Sequence, residues 1–496
     1  MSTTACISRA HFDRLNAHAA NSEVVVSSAN RLTVFLLGAL LAWTAQPAAA
    51  QNQQQKLNQK FETAVAAYNA EHYGQAASEL ERLLPDVPKS FEAHELLGMV
   101  YAAQSRDGEA IHQLEIAVRL KPNSAAARTN LAASLFHAKK IGPAGVQFRK
   151  ALELEPNDYS ANHNLAEFYI HSGKIAEARP LLAKAQLIKP GAYDNGYDLA
   201  MADYLLGHYG AARADVQSIL RERNSGELHN LLGQIDEKDG KYVAAANEFE
   251  SAAHIDPSEE NIFAWGSELL LHRTYEPAVE VFGAGARRYP NSIRLQIGLG
   301  MAYYARGLYQ DAMTALMRAI DLKPTAPLGY QFLSKAYESS PKQASEVIQR
   351  FQHYAELEPD NAKAQYYYAV SLWKGKQLEN SSLDVPKVEG LLKKAIALDG
   401  SLADAHLQLG NLYADQHEYK RSIPEYRRAL QLDPSLSDAH YRLGTDYVHV
   451  GQKSLARKEF GLYQTLRSRH MAETDKERAA IEQFVVSSRS GPPAKP

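Results

Sequence analysis

Small and apolar residues return along this chain in one fixed order. Leu97, Gly98, Tyr101, Ala110, Leu114 and Ala117 close on Pro122, and the order comes back as Leu131, Ala132, Ala144, Phe148, Ala151 and Pro156, then as Leu165, Ala166, Tyr169, Ala178, Leu182, Ala185 and Pro190. Later copies run through Leu232, Gly233, Ala245, Phe249, Ala252 and Pro257, through Leu299, Gly300, Tyr303, Ala312, Leu316, Ala319 and Pro324, and through Leu409, Gly410, Tyr413, Tyr426, Ala429 and Pro434. Pro88, Pro122, Pro156 and Pro190 are spaced by 34 residues. Each follows a helical stretch such as Ala110 to Lys121, and proline ends it because it has no amide donor and clashes with the preceding turn. The pattern predicts an all-α stack of similar helical hairpins.

A Leu-Gly or Leu-Ala pair, a Tyr, a small Ala, an aromatic or Leu, a second Ala and a closing Pro at these offsets resemble the tetratricopeptide repeat. Small residues let helices approach closely, while Leu, Tyr and Phe fill the holes between them. About twelve units fit between Leu57 and His470. The resemblance implies a right-handed superhelical solenoid of antiparallel helix pairs. It also implies a concave groove, lined by the first helix of each unit, that holds a peptide or protein partner.

Departures from the period divide the chain. Asn224 stands where a proline is due and Asp203 where Tyr is usual. An irregular junction is therefore expected there, between units 1–5 (residues 57–226) and units 6–12 (227–470). An insertion at about 375–387 reads as a loop between two helices of one unit, and Gly400 replaces the proline that would end the second of them. Ser468 replaces the last proline, so a capping helix over 471–486, carrying Ile481, Phe484 and Val485 at helical spacing, would cover the final core face. A disordered tail, 487–496, follows.

Residues 1–50 read as a signal peptide with a long N-terminal extension, followed by a short polar lead-in at 51–56. Arg31 precedes the apolar run Leu32 to Trp43, and Ala48-Ala49-Ala50 has the small-x-small form of a cleavage site, placing the cut after Ala50. The run is shorter than the roughly 20 residues of a membrane-spanning helix. Export of a bacterial envelope protein, periplasmic or secreted, is the expectation, with no integral membrane segment after cleavage. Cys6, the only cysteine of 496 residues, lies in the leader, so the mature chain has no thiolate for a disulfide or a metal. The formal net charge of -3, with acidic and basic residues interleaved, leaves no basic stripe of the kind nucleic-acid binders carry.

No Gly-rich phosphate loop, His-Glu-x-x-His or Gly-x-Ser-x-Gly is present, so neither a cofactor nor catalysis is expected. His163, Glu167 and His171 stand at i, i+4 and i+8 on one helix face. Two imidazoles and a carboxylate suit a metal ion, but His94, His229, His406 and His440 recur at one repeat offset, and the stripe is read as part of a polar groove with no metal. Asn130 and Asn164 hold equivalent first-helix positions, resembling the asparagine ladder with which some family members bind a peptide backbone. Further along, Tyr204, Phe263, Tyr304, Phe332, Tyr366 and Trp373 fall at inner positions as packing residues or exposed anchors. Tyr366-Tyr367-Tyr368 cannot all be buried on one stripe. The reading is a non-catalytic scaffold or adaptor that binds a peptide or protein partner. The alternatives are a periplasmic role in exopolysaccharide assembly or export and, behind it, a metal-dependent enzyme.

Overall fold

The computed structural model describes residues 48–379 and 384–468. They form 24 α-helices, from Ala48–Asn69 to Lys453–Ser468, which within each of two compact units pair into hairpins, with no strand among the described residues. The expected leader before Ala48, the capping helix and the tail lie outside the described residues. The first helix opens at Ala48, so the lead-in at 51–56 is helical.

Local chemistry sets the helix ends. Ser90, Ser124, Asp158, Ser225, Ser258 and Ser292 sit just before first helices, and each side chain accepts a backbone N–H three residues on. Those are donors that the helix itself leaves unpaired. Among the described residues, the turn inside a hairpin carries one residue with positive φ. It falls at Glu71, Ser105, Lys139, Gly173 and Gly207 in the first five hairpins. Only glycine takes that conformation without a steric penalty, so the turn recurs with the period although its residue type does not.

The recurrent alanines are the places of closest approach. Ala110, Ala144, Ala178, Ala245 and Ala312 are all 0% exposed. A Cβ on Gly98 would lie 2.5 Å from Leu114 Cγ, and one on Gly300 would lie 2.5 Å from Leu316 Cγ. The same tight crossing is thus built twice from the same residue types.

The chain falls into two compact units that divide between Gly240 and Lys241. The junction expected near Asn224 is therefore internal to the first unit. There Leu228, Leu231, Leu232 and Ile235 of helix Gly226–Lys238 share a core with Tyr197, Met201 and Val216, and Arg213 pairs with Asp236 and Asp239. In the second unit the largest core is built around Phe282, Tyr330, Tyr337 and Phe351.

The position of Asp203 also has a physical explanation. At that repeat position Tyr101 donates to Glu81 and Tyr413 to Glu389, each 2.8 Å away on the preceding unit's second helix. Asp203 reverses the polarity and accepts from Arg179, at 3.1 Å, in the same place. The insertion is not a loop from Gly375. Helix Ala362–Glu379 is 18 residues long where most first helices have 13, and Gly375 is buried against Ile348 and Tyr337. Asp384 caps the following helix, which starts at Val385 with a proline in its first turn; residues 380–383 lie outside the described residues.

Candidate interaction surface

Successive first helices are joined by polar contacts. In the first unit Asn130 Nδ2 donates to Glu95 Oε1 at 3.3 Å, His163 Nδ1 meets Asn195 Oδ1 at 3.1 Å, and the Tyr193 hydroxyl donates to Glu227 at 3.1 Å. In the second unit the Arg294 guanidinium donates to Glu259 at 2.6 Å while lying over the Phe263 ring. Burial pushes the Glu95 carboxyl up to about 7 against the opposing pull of the Asn130 amide.

These contacts correct the expected asparagine ladder. Asn130 and Asn164 are both buried; Asn130 is engaged with Glu95, and the Asn164 amide nitrogen is enclosed without a hydrogen-bond partner. Neither offers a peptide an open carboxamide.

The aromatic positions separate. Phe263 and Phe332 are core residues, 1% and 3% exposed. Tyr366 is also buried, and burial raises its phenol well above the ordinary range. All three consecutive tyrosines are at least half-buried, not on one stripe but because the helix is packed on more than one side, so none of them is an open anchor. Tyr366 faces the core around Val388 and Leu392, Tyr367 lies against Phe351, and Tyr368 joins the Tyr330 and Tyr337 cluster. Tyr204, Tyr304 and Trp373 are half-buried. Tyr204 and Tyr304 each touch the tyrosine that opens their own second helix, Tyr209 and Tyr309.

His163 and Glu167 lie together, Nε2 to Oε1 at 3.3 Å, whereas His171 is exposed and rests on Phe136. The third group beside His163 and Glu167 is Asp198 of the following first helix. Burial opposes charge on His163, but Glu167 and Asp198 outweigh it and raise the imidazole to about 9. The sequence period placed Asp198 level with Asn164, yet nothing in the spacing told that its side chain would reach His163. The recurrent histidines have a structural role. His94, His406 and His440 each reach a residue of their own second helix, Gln113, Glu425 or Glu459, at 2.6–2.7 Å. His94 and His440 also contact the carbonyl of the repeat proline at 3.2 Å.

First helices joined in this way and tightly crossed hairpins define a helical-repeat scaffold. Tetratricopeptide-repeat signatures match residues 61–125, 135–194, 197–260, 263–327 and 410–448, and the chain belongs to the tetratricopeptide-repeat family. It is 25% identical over 237 residues to the mitochondrial import receptor subunit TOM70 of Homo sapiens and to that of Rattus norvegicus; the match takes in 45% of this chain and 38% of each relative's length. Among solved structures, yeast Tom70 is 14% identical at a TM-score of 0.36, covering 88% of this chain and 97% of that one. Cut9–Hcn1 of the APC/C is 14% identical at 0.38, covering 87% and 98%. Scores this low carry no argument about function. No helix among the described residues is long and apolar enough to cross a membrane.

Proposed function

We propose that the chain is a non-catalytic adaptor of the bacterial cell envelope that binds a peptide or protein partner on its first-helix surface. Membership of a family of interaction scaffolds supports it, and the observation that carries it is the set of half-buried aromatics on first helices, Tyr204, Tyr304 and Trp373. Aromatic side chains that retain exposed area supply large contact surface at little cost in side-chain entropy, as interface anchors do. The export signal read at residues 1–50 supports the envelope location. The curated relatives are receptor subunits, a role of the same kind.

Photo-crosslinking in the native envelope tests this, with reactive residues at His171, Tyr204, Tyr304 and Trp373 and a comparison position at Leu187, an exposed second-helix residue. Discrete protein adducts from the first-helix positions, weaker from Leu187, are expected. Equal capture from Leu187 would move the interface elsewhere. A mature exported chain with no protein adduct at any position would overturn the adaptor reading.

A further inference from the structure

The environment of His163 fixes its tautomer. Asn195, 0% exposed, donates its amide to the Leu182 carbonyl at 2.9 Å and to Gln186 Oε1 at 2.8 Å. Its oxygen is thereby turned to His163 Nδ1, 3.1 Å away, as an acceptor. Nδ1 must then carry a proton, which in the neutral ring leaves Nε2 with a lone pair. That lone pair faces Glu167 Oε1 at 3.3 Å. A lone pair does not rest against a carboxylate oxygen without something positive between them, either a proton or a metal ion.

The geometry suits the ion. Two ligands bound at 2.0–2.2 Å in a tetrahedron lie about 3.4 Å apart, and the His163–Glu167 separation is 3.3 Å. Asp198 brings a carboxylate oxygen, so that the three donor atoms lie within 4.8 Å of one another. Asn195 supplies the backing hydrogen bond to the other ring nitrogen that metal-ligating histidines characteristically have. His163 and Glu167 keep side-chain exposures of 12% and 18%, which leaves an approach from solvent.

We propose that His163, Glu167 and Asp198 bind one divalent transition-metal ion, of the class that takes mixed imidazole and carboxylate ligands such as zinc or manganese. Three protein ligands leave at least one coordination position for water or for a donor group of a bound molecule. The site does not depend on the adaptor reading.

Zinc chloride is titrated calorimetrically into the metal-free full-length chain, and a crystal soaked with zinc is measured at the zinc absorption edge. One site per chain is expected, with a dissociation constant below about 100 µM and an anomalous peak between the three side chains. Asp198→Asn, which keeps shape and removes charge, weakens it at least about tenfold, and His163→Gln more. Circular dichroism of the metal-free variants checks that each is folded; if His163→Gln is not, Asp198→Asn and the anomalous map decide. Zinc bound equally by folded variants, a peak at other histidines only, or no binding at that concentration would each show that a proton alone occupies the position, and would overturn the proposal.

Discussion

Arg179 and Asp203 do not contribute symmetrically, and the difference can be measured. Asp203 is 0% exposed and accepts from Arg179 at 3.1 Å and from His208 at 2.8 Å, whereas the Arg179 side chain keeps 39% of its surface in water. Replacing Arg179 by Met preserves most of the packing but leaves a buried carboxylate with only the exposed His208 ring. Stranding a buried charge in this way costs about 3 kcal/mol or somewhat more. For a unit of this size, each kcal/mol lowers the melting temperature by about 2–4 °C, so the N-terminal unit of Arg179→Met should melt roughly 6–12 °C lower. Asp203→Asn strands nothing equivalent, because the guanidinium can turn to solvent. It also relieves Asp215, whose carboxyl burial and the Asp203 charge raise to about 6. About 1 kcal/mol, or roughly 2–4 °C, is expected for that change. Differential scanning calorimetry of both variants supplies the comparison. If Asp203→Asn is as costly as Arg179→Met, or costlier, the assignment of the burial penalty to the carboxylate is wrong.

Glu95 gives a pH prediction. Its folded value of about 7 lies above the ordinary 4.5, so its stability contribution is complete below about pH 4.5 and is lost as pH rises through 7. Glu95→Gln should therefore make the first unit more resistant to urea than wild type at pH 8, by an order of 2 kcal/mol, and the advantage should vanish near pH 4.5; a pH-independent difference would contradict the burial argument. Ser105→Gly and Lys139→Gly, at turn positions with φ near +58° and +59°, should each stabilise by about 1 kcal/mol in urea titrations. A loss at both would mean that those turns are not left-handed. Ala178→Leu, at a position 0% exposed, should overpack the hairpin at a cost of about 1–3 kcal/mol; unchanged unfolding would show that the repeat phase is displaced there.

The fold was legible in the order of small and apolar residues because each hairpin packs mainly on its neighbours, so Ala110, Ala144 and Ala178 meet the same crossing in every unit and the sequence must repeat them. The prolines and the Ser and Asp caps act within a few residues of themselves, and helix limits follow from such local chemistry. Accessibility does not follow from it. Asn130, Phe263 and Tyr366 occupy positions that the repeat assigns to an inner surface, yet neighbouring side chains close over them, and only packing across units decides that. The insertion could have formed a loop from Gly375, but Gly375, which has no side chain, fits against Ile348 and Tyr337 where a Cβ would clash, and the helix continues to Glu379. His163 and Glu167 were visible together because they lie on one helix. Asp198 and Asn195 reach them from the next first helix, and that meeting rests on the crossing of two helices and on the length of each side chain, which no spacing along the chain records.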